Sequence, residues 1–467
     1  MTTKLGPGPR IDEAALEALK GQFRGTIIGP EDPGYDEARR VQNGMIDRRP
    51  ALVAQPVDAG DVISALALGR DHGLDIAVRG GGHSGAGFGT VDDGLVIDLS
   101  RMRGVRVDPD ARTARVDGGA QLGDVDHATH AFGLATPAGI LSTTGVGGLT
   151  LGGGIGHLTR KLGLAIDNLI EADVVLPSGE LVKANATTNP DLYWAIRGGG
   201  GNFGIVTSFL FRLHPVDTVI AGPVLYDLDQ SEALLRWWQD FIGQAPDELN
   251  GFFAFLTVPP APPFPPELHM RKMVGVAWTY AGPADKAEQV LAPVKAFGKP
   301  SLVGLMPLPL PAWQSAFDAL YPKGTQMYWR ADFMNTFSDD AIALHARHGA
   351  QLPTLQSGTH IYPIDGAAAR IGPGETAWNQ RGVRFAQVVL GADADPANAG
   401  AIRDWSVAYS DALHPYSAGG AYLNFIMDEG QERVRSTYGD NYERLATIKA
   451  HYDPTNVFHV NQNIRPA

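Results

Sequence analysis

Val78-Arg79-Gly80-Gly81-Gly82-His83-Ser84-Gly85 is the stretch on which the reading of this chain turns. It follows the apolar segment Leu74–Val78 and predicts a strand running into a turn that glycine makes freely, because a residue without Cβ enters positive φ without a clash. Bare backbone N–H groups in such a loop can close on an anionic group, as in phosphate and pyrophosphate sites. One histidine stands in its middle. Gly80, Gly82 and Gly85 satisfy G-x-G-x-x-G, but so do Gly199, Gly201 and Gly204. Neither copy clearly opens a helix and places an acid further on, as a dinucleotide half-site requires. On its own residues the loop reads equally well as a tight surface turn with a solvated histidine.

Working outward, Pro50–Ala54 predicts a strand, Asp58–Asp71 an amphipathic helix and Asp75–Val78 a second strand, so a β-α-β order feeds the loop. Upstream, Ile11–Phe23 has helical spacing. Downstream come strands over Gly94–Asp98, Gly104–Val107 and Thr113–Asp117, then a helix over Gly123–Phe132. His127 and His130 on that helix lack a third ligand nearby, so no metal site is assigned. The densest glycine region follows, Gly139–Gly148 and Gly152-Gly153-Gly154-Ile155-Gly156. Side-chain-free backbone of this length suggests a large flat ligand against it, with close packing of backbone as the alternative. A hairpin over Ala172–Lys183, a short helix over Asp191–Arg197 and a strand over Ile205–Leu213 lead to a boundary at His214-Pro215. Beyond it, strands such as Val274–Tyr280, Thr325–Asn335, Leu355–Pro363 and Val383–Leu390 alternate with helices such as Ser231–Ile242 and Ala284–Phe297. That pattern predicts an antiparallel sheet with helices over one face. Trp237, Trp238 and Phe241 read as its core, and Pro259–Pro266 as a stiff loop.

The totals narrow the function. With 467 residues, 44% hydrophobic and 19% charged, the chain has room for two or three domains with large cores. A net charge of −13 disfavours nucleic acid and anionic membranes as partners. No apolar run approaches a membrane span, and Met1–Arg10 lacks the order of a secretory signal, so a cytoplasmic location is expected. There is no cysteine, which excludes disulfides, thiolate nucleophiles and cysteine-linked cofactors together. A hydrolase reading also fails, because Ser84 is followed by Gly85-Ala86 where a nucleophile elbow needs glycine two residues on.

Taken together, Arg79–Ser84, Gly145-Val146-Gly147-Gly148, Gly152–Gly156, Asp191–Gly204, Tyr422-Leu423-Asn424, and the end from Tyr442-Glu443-Arg444-Leu445 to Asn461-Gln462-Asn463-Ile464 resemble a known family. It is the FAD-linked oxidases of the vanillyl-alcohol oxidase and p-cresol methylhydroxylase fold, in their berberine-bridge-enzyme-like branch. The resemblance covers nearly the whole chain. It implies an α+β, two-domain fold, with residues 1–214 and 414–467 forming one split FAD domain and 215–413 a substrate domain. His83 would carry the flavin through its 8α-methyl, and Arg79, Gly80, Gly81, Gly82 and Ser84 would hold the pyrophosphate. Thr144, Gly145, Val146, Gly147, Gly148, Gly152, Gly153, Gly156 and His157 would line the ring and ribityl chain. Gly204 and Val206 would approach the adenine, and Tyr422, Asn461 and Asn463 would finish the pocket. The implied activity is a FAD-dependent oxidase that takes hydride from an alcohol, amine or activated C–H of a small or secondary metabolite onto flavin N5. Molecular oxygen would accept the electrons and leave as hydrogen peroxide. A dehydrogenase with another acceptor, and a flavin-holding protein without turnover, are the alternatives. The partners expected are a small-molecule substrate and O2, with the oligomeric state open.

Two departures from the family pattern matter. The cysteine that gives many members a second flavin bond is replaced by Leu141, so a single link through His83 is expected. Three residues on, where oxygen-using members often have valine, stands Thr144, which has valine's shape. The other departure is Phe425, in Tyr422-Leu423-Asn424-Phe425, at the family's frequent tyrosine base. Tyr422 and Asn424 then become candidates, placed by strand alternation on one face with Phe425 on the other. His360 and Tyr362 on one strand, and Tyr328 with Arg330 on another, are the remaining candidates. His360 is favoured as a base by its solution pKa.

Overall fold

The computed structural model describes residues 11–467. Met1–Arg10, read above for the absence of a secretory pattern, lie outside the described residues. Among the described residues no helix is long and apolar enough to cross a membrane.

The first sheet takes β1 (Thr26–Ile28), β2 (Leu52–Gln55), β3 (Ile76–Arg79) and β4 (Leu95–Asp98) in the order β1-β2-β4-β3. β2 and β3 both run parallel to β4. The crossover between β2 and β3 is the helix Ala59–Asp71, whose N-cap Asp58 accepts from the Asp61 N–H, so one orphan donor of the helix start is satisfied. The chain then lays down β5 (Val105–Asp108), β6 (Thr113–Asp117), the short β7 (Leu134–Ala135), β8 (Leu169–Val175), β9 (Leu181–Asn185), β10 (Ile205–Arg212) and the short β11 (His214–Pro215). Five of these form a second sheet in the order β5-β6-β10-β8-β9, and β7 pairs with β11.

The third sheet is antiparallel and built from β12 (Thr218–Tyr226), β13 (Leu249–Thr257), β14 (Lys272–Tyr280), β15 (Leu302–Val303), β16 (Met306–Pro309), β17 (Gln326–Met334), β18 (Gly358–Pro363) and β19 (Phe385–Asp393). Its order is β15-β12-β14-β13-β18-β19-β17, with β16 also on β12. Alternation divides its side chains between two environments. Phe253, Phe255, Trp278 and Phe385 pack with Leu234, Trp238 and Ile242 of the helix Ser231–Ile242. Phe252, Ala254, Tyr362 and Val388 point the other way, into the core shared with the glycine-rich segments and the C-terminal return. Helices therefore cover one face, as the sequence predicts, and the second face is free to become a wall.

Two local expectations change. Val146–Leu151, inside the glycine run, is a helix, although glycine is a poor helix former. Residues 423–425 form a 3-10 turn, so strand alternation does not apply to Tyr422–Phe425.

Candidate active site

A cavity of about 340 Å³ lies where the glycine loops, the open face of the third sheet and the C-terminal return meet. Gly80, Gly81, Gly82, His83 and Ser84 leave the end of β3 and line it, with φ of +71° at Gly82. Gly145, Gly147, Gly148 and Thr144 line a second stretch, and Gly204, Val206 and Asn461 a third. Gly200, Gly201, Asn202 and Gln462 also reach it. The sequence reading assigned these four no role in the site, although all four lie within the stretches Asp191–Gly204 and Asn461–Ile464 that carry the family resemblance.

The glycines serve two different purposes. A Cβ on Gly81 would come within 2.3 Å of the Gly145 nitrogen, and one on Gly145 within 2.1 Å of the Gly81 nitrogen. These two segments touch backbone to backbone, so neither position has room for a side chain. At Gly148 and Gly201 an added Cβ would meet no heavy atom within 4 Å; their bare backbone leaves space in the cavity. Gly152, Gly153 and Gly156 do not line it. A Cβ there would strike Asn424 at 2.1 Å, Tyr422 at 3.2 Å and the Ala138 carbonyl at 2.0 Å respectively. For this second cluster the packing alternative is the one the structure realises, and the assignment of these residues to a flavin surface is corrected.

His157 is corrected too. It is buried away from the cavity, with its ring 5.2 Å from Trp313 and stacked at 6.3 Å on Phe317. Burial alone pushes its pKa down to about 3. Val146 and Asn463 are likewise absent from the cavity lining. Arg79 does reach the cavity, but its guanidinium forms a buried ion pair with Asp98 at 3.0 Å and donates to the Ala38 and Arg40 carbonyls. It braces the loop from behind. His130 faces Asp217 at 3.2 Å, and among the described residues no group of three or more His, Cys, Asp or Glu is placed to hold a metal.

Side chains form the opposite wall. Trp329 pairs across strands with Leu390, and His360 with Val388, which puts all four on one face of the sheet and in the cavity. His360 Nδ1 lies 2.9 Å from the Tyr362 hydroxyl. Burial lowers the His360 pKa to about 4 and raises that of Tyr362 well above the ordinary phenol value. At neutral pH the pair is an uncharged imidazole beside an uncharged phenol. Tyr328 and Arg330 leave the candidate set: they do not line the cavity, and Arg330 is paired with Glu429 at 2.6 Å.

The tight turn at residues 422–425 brings Tyr422, Leu423, Asn424 and Phe425 all to the cavity. Tyr422 Oη accepts from the Gly154 N–H at 2.9 Å, the Ile155 N–H at 3.3 Å and Asn424 Nδ2 at 2.8 Å. Burial raises its pKa, and these three donors oppose the rise without reversing it. Its oxygen is thus committed to holding residues 154 and 155. The Phe425 ring stands edge-on to Tyr422 at 4.7 Å.

At the junction of the two walls, His83 opens onto the cavity. Burial holds its imidazole down at about 4, against the pull of a hydrogen bond to the Thr143 backbone. A neutral ring nitrogen is the nucleophilic form. Leu141 and Thr144 are also in the lining. Trp329 packs directly on the loop: a Cβ on Gly85 would come within 2.2 Å of its indole ring. The last glycine of the first G-x-G-x-x-G motif is therefore required by a residue 244 positions away (329 − 85).

These features suit an extended ligand with anionic, polyhydroxy and flat aromatic parts. The open space at Gly148 and Gly201, and the buried, unpartnered Oδ1 of Asn461, are what such a ligand would fill. The fold and site define a FAD-binding oxidoreductase of the vanillyl-alcohol oxidase type. Comparison with known proteins agrees: residues 50–185 match the FAD binding domain and residues 421–465 the berberine and berberine-like segment. A FAD-linked oxidoreductase of Bacillus subtilis, YgaK, is 31% identical over 456 residues, covering 96% of this chain and 98% of that one. The (R)-6-hydroxynicotine oxidase of Paenarthrobacter nicotinovorans is 29% identical over 475 residues, covering 95% and 97%. Among solved structures, 6-hydroxy-D-nicotine oxidase from Arthrobacter nicotinovorans superposes with a TM-score of 0.85 at 26% identity, covering 95% of this chain and 98% of the other. The chain belongs to the berberine-bridge-enzyme-like FAD-linked oxidoreductases.

Proposed function

We propose that the protein is an oxidase that carries FAD on His83 alone and oxidises a small hydroxyl-bearing substrate, with O2 as the final acceptor and hydrogen peroxide as product. The observation that carries this reading is the meeting, in one cavity, of the His83 loop, the glycine-built wall and the His360–Tyr362 pair. Residues 1–214 and 414–467 would form the FAD-binding unit and 215–413 the substrate unit. When bound, FAD supplies the two-electron acceptor and O2 regenerates it. The chain's own residues do the rest. The backbone of Gly80–Gly82 offers N–H groups to the pyrophosphate. Leu141 leaves no thiol for a second attachment, and Thr144 keeps a valine-sized wall for O2.

His360 is the group assigned to take the substrate's hydroxyl proton. The role requires the tautomer in which Nδ1–H donates to the Tyr362 hydroxyl, which leaves Nε2 as the acceptor. The lowered pKa keeps it unprotonated at physiological pH, the form a general base needs. Tyr422 and Asn424 act as positioning residues, since the phenol is uncharged and its oxygen already receives three donors. Phe425 and Trp329 exclude water, which strengthens each polar contact inside.

The test has two parts. Acid-precipitated wild-type protein should retain the yellow flavin absorbance in the pellet, and His83→Ala should release it to the supernatant. Oxygen uptake with stoichiometric peroxide should accompany turnover. Release of flavin from wild type would refute the covalent link; turnover with a quinone or dye but not with O2 would make the protein a dehydrogenase.

A further inference from the structure

Resting on the FAD-oxidoreductase reading of the same cavity, we infer that the substrate is a neutral, flat, apolar hydroxyl compound of the aryl-alcohol kind, and neither a sugar nor a charged amine or acid. The wall that would face it, Trp329, His360, Tyr362, Val388, Leu390 and Phe425, holds no ionised group. Among the described residues that line the cavity the only Asp, Glu, Lys or Arg is Arg79, already paired with Asp98 on the loop side.

This neutrality is built by the sheet. On β17, alternation turns Trp329 into the cavity and Arg330 away from it, to Glu429 at 2.6 Å, while Asp332 is engaged by Arg433 at 3.0 Å. Charges are thus close by but neutralised in pairs outside the pocket. A carboxylate or ammonium entering the cavity would lose its hydration with no counter-charge to meet it, which is strongly unfavourable. A sugar would fare little better. Its many hydroxyls each need a partner, and this wall offers only the His360–Tyr362 pair and the unpartnered Trp329 Nε1–H among rings and aliphatic side chains. Aromatic surface is available instead: the Phe425 ring lies 5.6 Å from Tyr362 and 6.5 Å from Trp329. Ring separations in this range leave edges and faces against which a planar molecule packs. One hydroxyl on such a molecule would find its acceptor at His360.

The test measures binding to the FAD-loaded enzyme by titration calorimetry under anaerobic conditions. The neutral probe is 2-phenyl-2-propanol, which has no hydrogen on its carbinol carbon and cannot be oxidised. It is compared with 2-phenyl-2-propylamine, which is protonated at neutral pH, with benzoate and with cellobiose. The alcohol should bind at least about tenfold more tightly than each of the others, because the burial of charge is uncompensated. Its methyl ether should bind about fivefold more weakly than the alcohol in wild type, the loss of one hydrogen bond, and equally well in His360→Phe. Equal or tighter binding of cellobiose, the amine or benzoate would overturn the inference. So would the absence of alcohol binding to an enzyme that is fully yellow, or an ether-to-alcohol ratio that His360→Phe leaves unchanged. A protein purified without flavin absorbance is a separate result, visible before any probe is added; it would refute the cofactor reading and the inference with it.

Discussion

One wall of the cavity is backbone, with Gly80–Gly82 against Gly145 and open positions at Gly148 and Gly201, while the opposite wall is side chains from β17, β18 and β19. The backbone wall comes from segments adjacent in sequence to glycine motifs, and its chemistry is that of N–H groups, the same for any side-chain context. The other wall draws on three strands whose order in the sheet is not their order in the chain. Its properties are those of particular side chains, changed by burial. The comparison teaches that the two walls are built differently: the glycine wall meets the third sheet through the Trp329–Gly85 contact, and on the proposed reading it would hold the cofactor while the side-chain wall faces the substrate.

The hardest way to break the backbone wall is Gly145→Val. Its Cβ would fall 2.1 Å from the Gly81 nitrogen, and with backbone on both sides nothing can yield cheaply; a loss of more than about 4 kcal/mol is expected, read as loss of soluble folded protein. Next is Lys449→Met. Lys449 Nζ, fully buried, donates to the Asn202 carbonyl at 2.6 Å, to Asp453 at 2.6 Å and to the Phe458 carbonyl at 2.9 Å, tying the C-terminal return to the loop at Gly200–Asn202. Removing it leaves the Asp453 charge buried, and a loss of about 3–5 kcal/mol is expected in denaturant unfolding.

On the side-chain wall, the pH profile tests His360. Its pKa is lowered to about 4, so the unprotonated base persists as pH falls and activity should be lost only as pH drops through about 4. A kcat/KM flat between roughly pH 5 and 7 is expected for wild type; a fall centred near 6.5 would mean that the essential base is a histidine of ordinary pKa, in conflict with a buried His360 in that role. Gly148→Ala has the smallest effect and separates the two glycine types most sharply. The position lies inside the helix Val146–Leu151 with no heavy atom near its Cβ. Stability should rise by about 0.5–1 kcal/mol, while flavin uptake by the reversible His83→Ala background should weaken. A fall in both would mean that Gly148 is also a packing glycine.

The Rossmann-like spacing, the β-α-β lead into His83, the antiparallel third sheet with helices on one face, and the family were all legible, because turn chemistry and hydrophobic periodicity are local signals. The division of glycine labour was not. Gly81 and Gly152 look alike in sequence, yet one meets a second glycine motif across the cavity edge and the other meets Asn424, 272 residues away (424 − 152). His157 next to a glycine run gave the same local pattern as a cofactor residue, and its aromatic partners Phe252, Trp313 and Phe317 come from a different part of the chain. The turn at 422–425 was not legible because four residues carry too little periodicity to tell alternation from a 3-10 turn.

The sequence by itself determined that this chain folds as a FAD-linked oxidoreductase, that His83 sits in a bare loop, and that no cysteine is available for a second link, since each depends on residue identity and short-range spacing. Tertiary structure alone decided which glycines frame the cavity, that Tyr422 is occupied by three donors, and that the wall opposite the glycines is aromatic and uncharged. Those are consequences of strand order and register in the third sheet: pairing Trp329 with Leu390 and His360 with Val388 selects which side chains share a face, and burial then sets their charge.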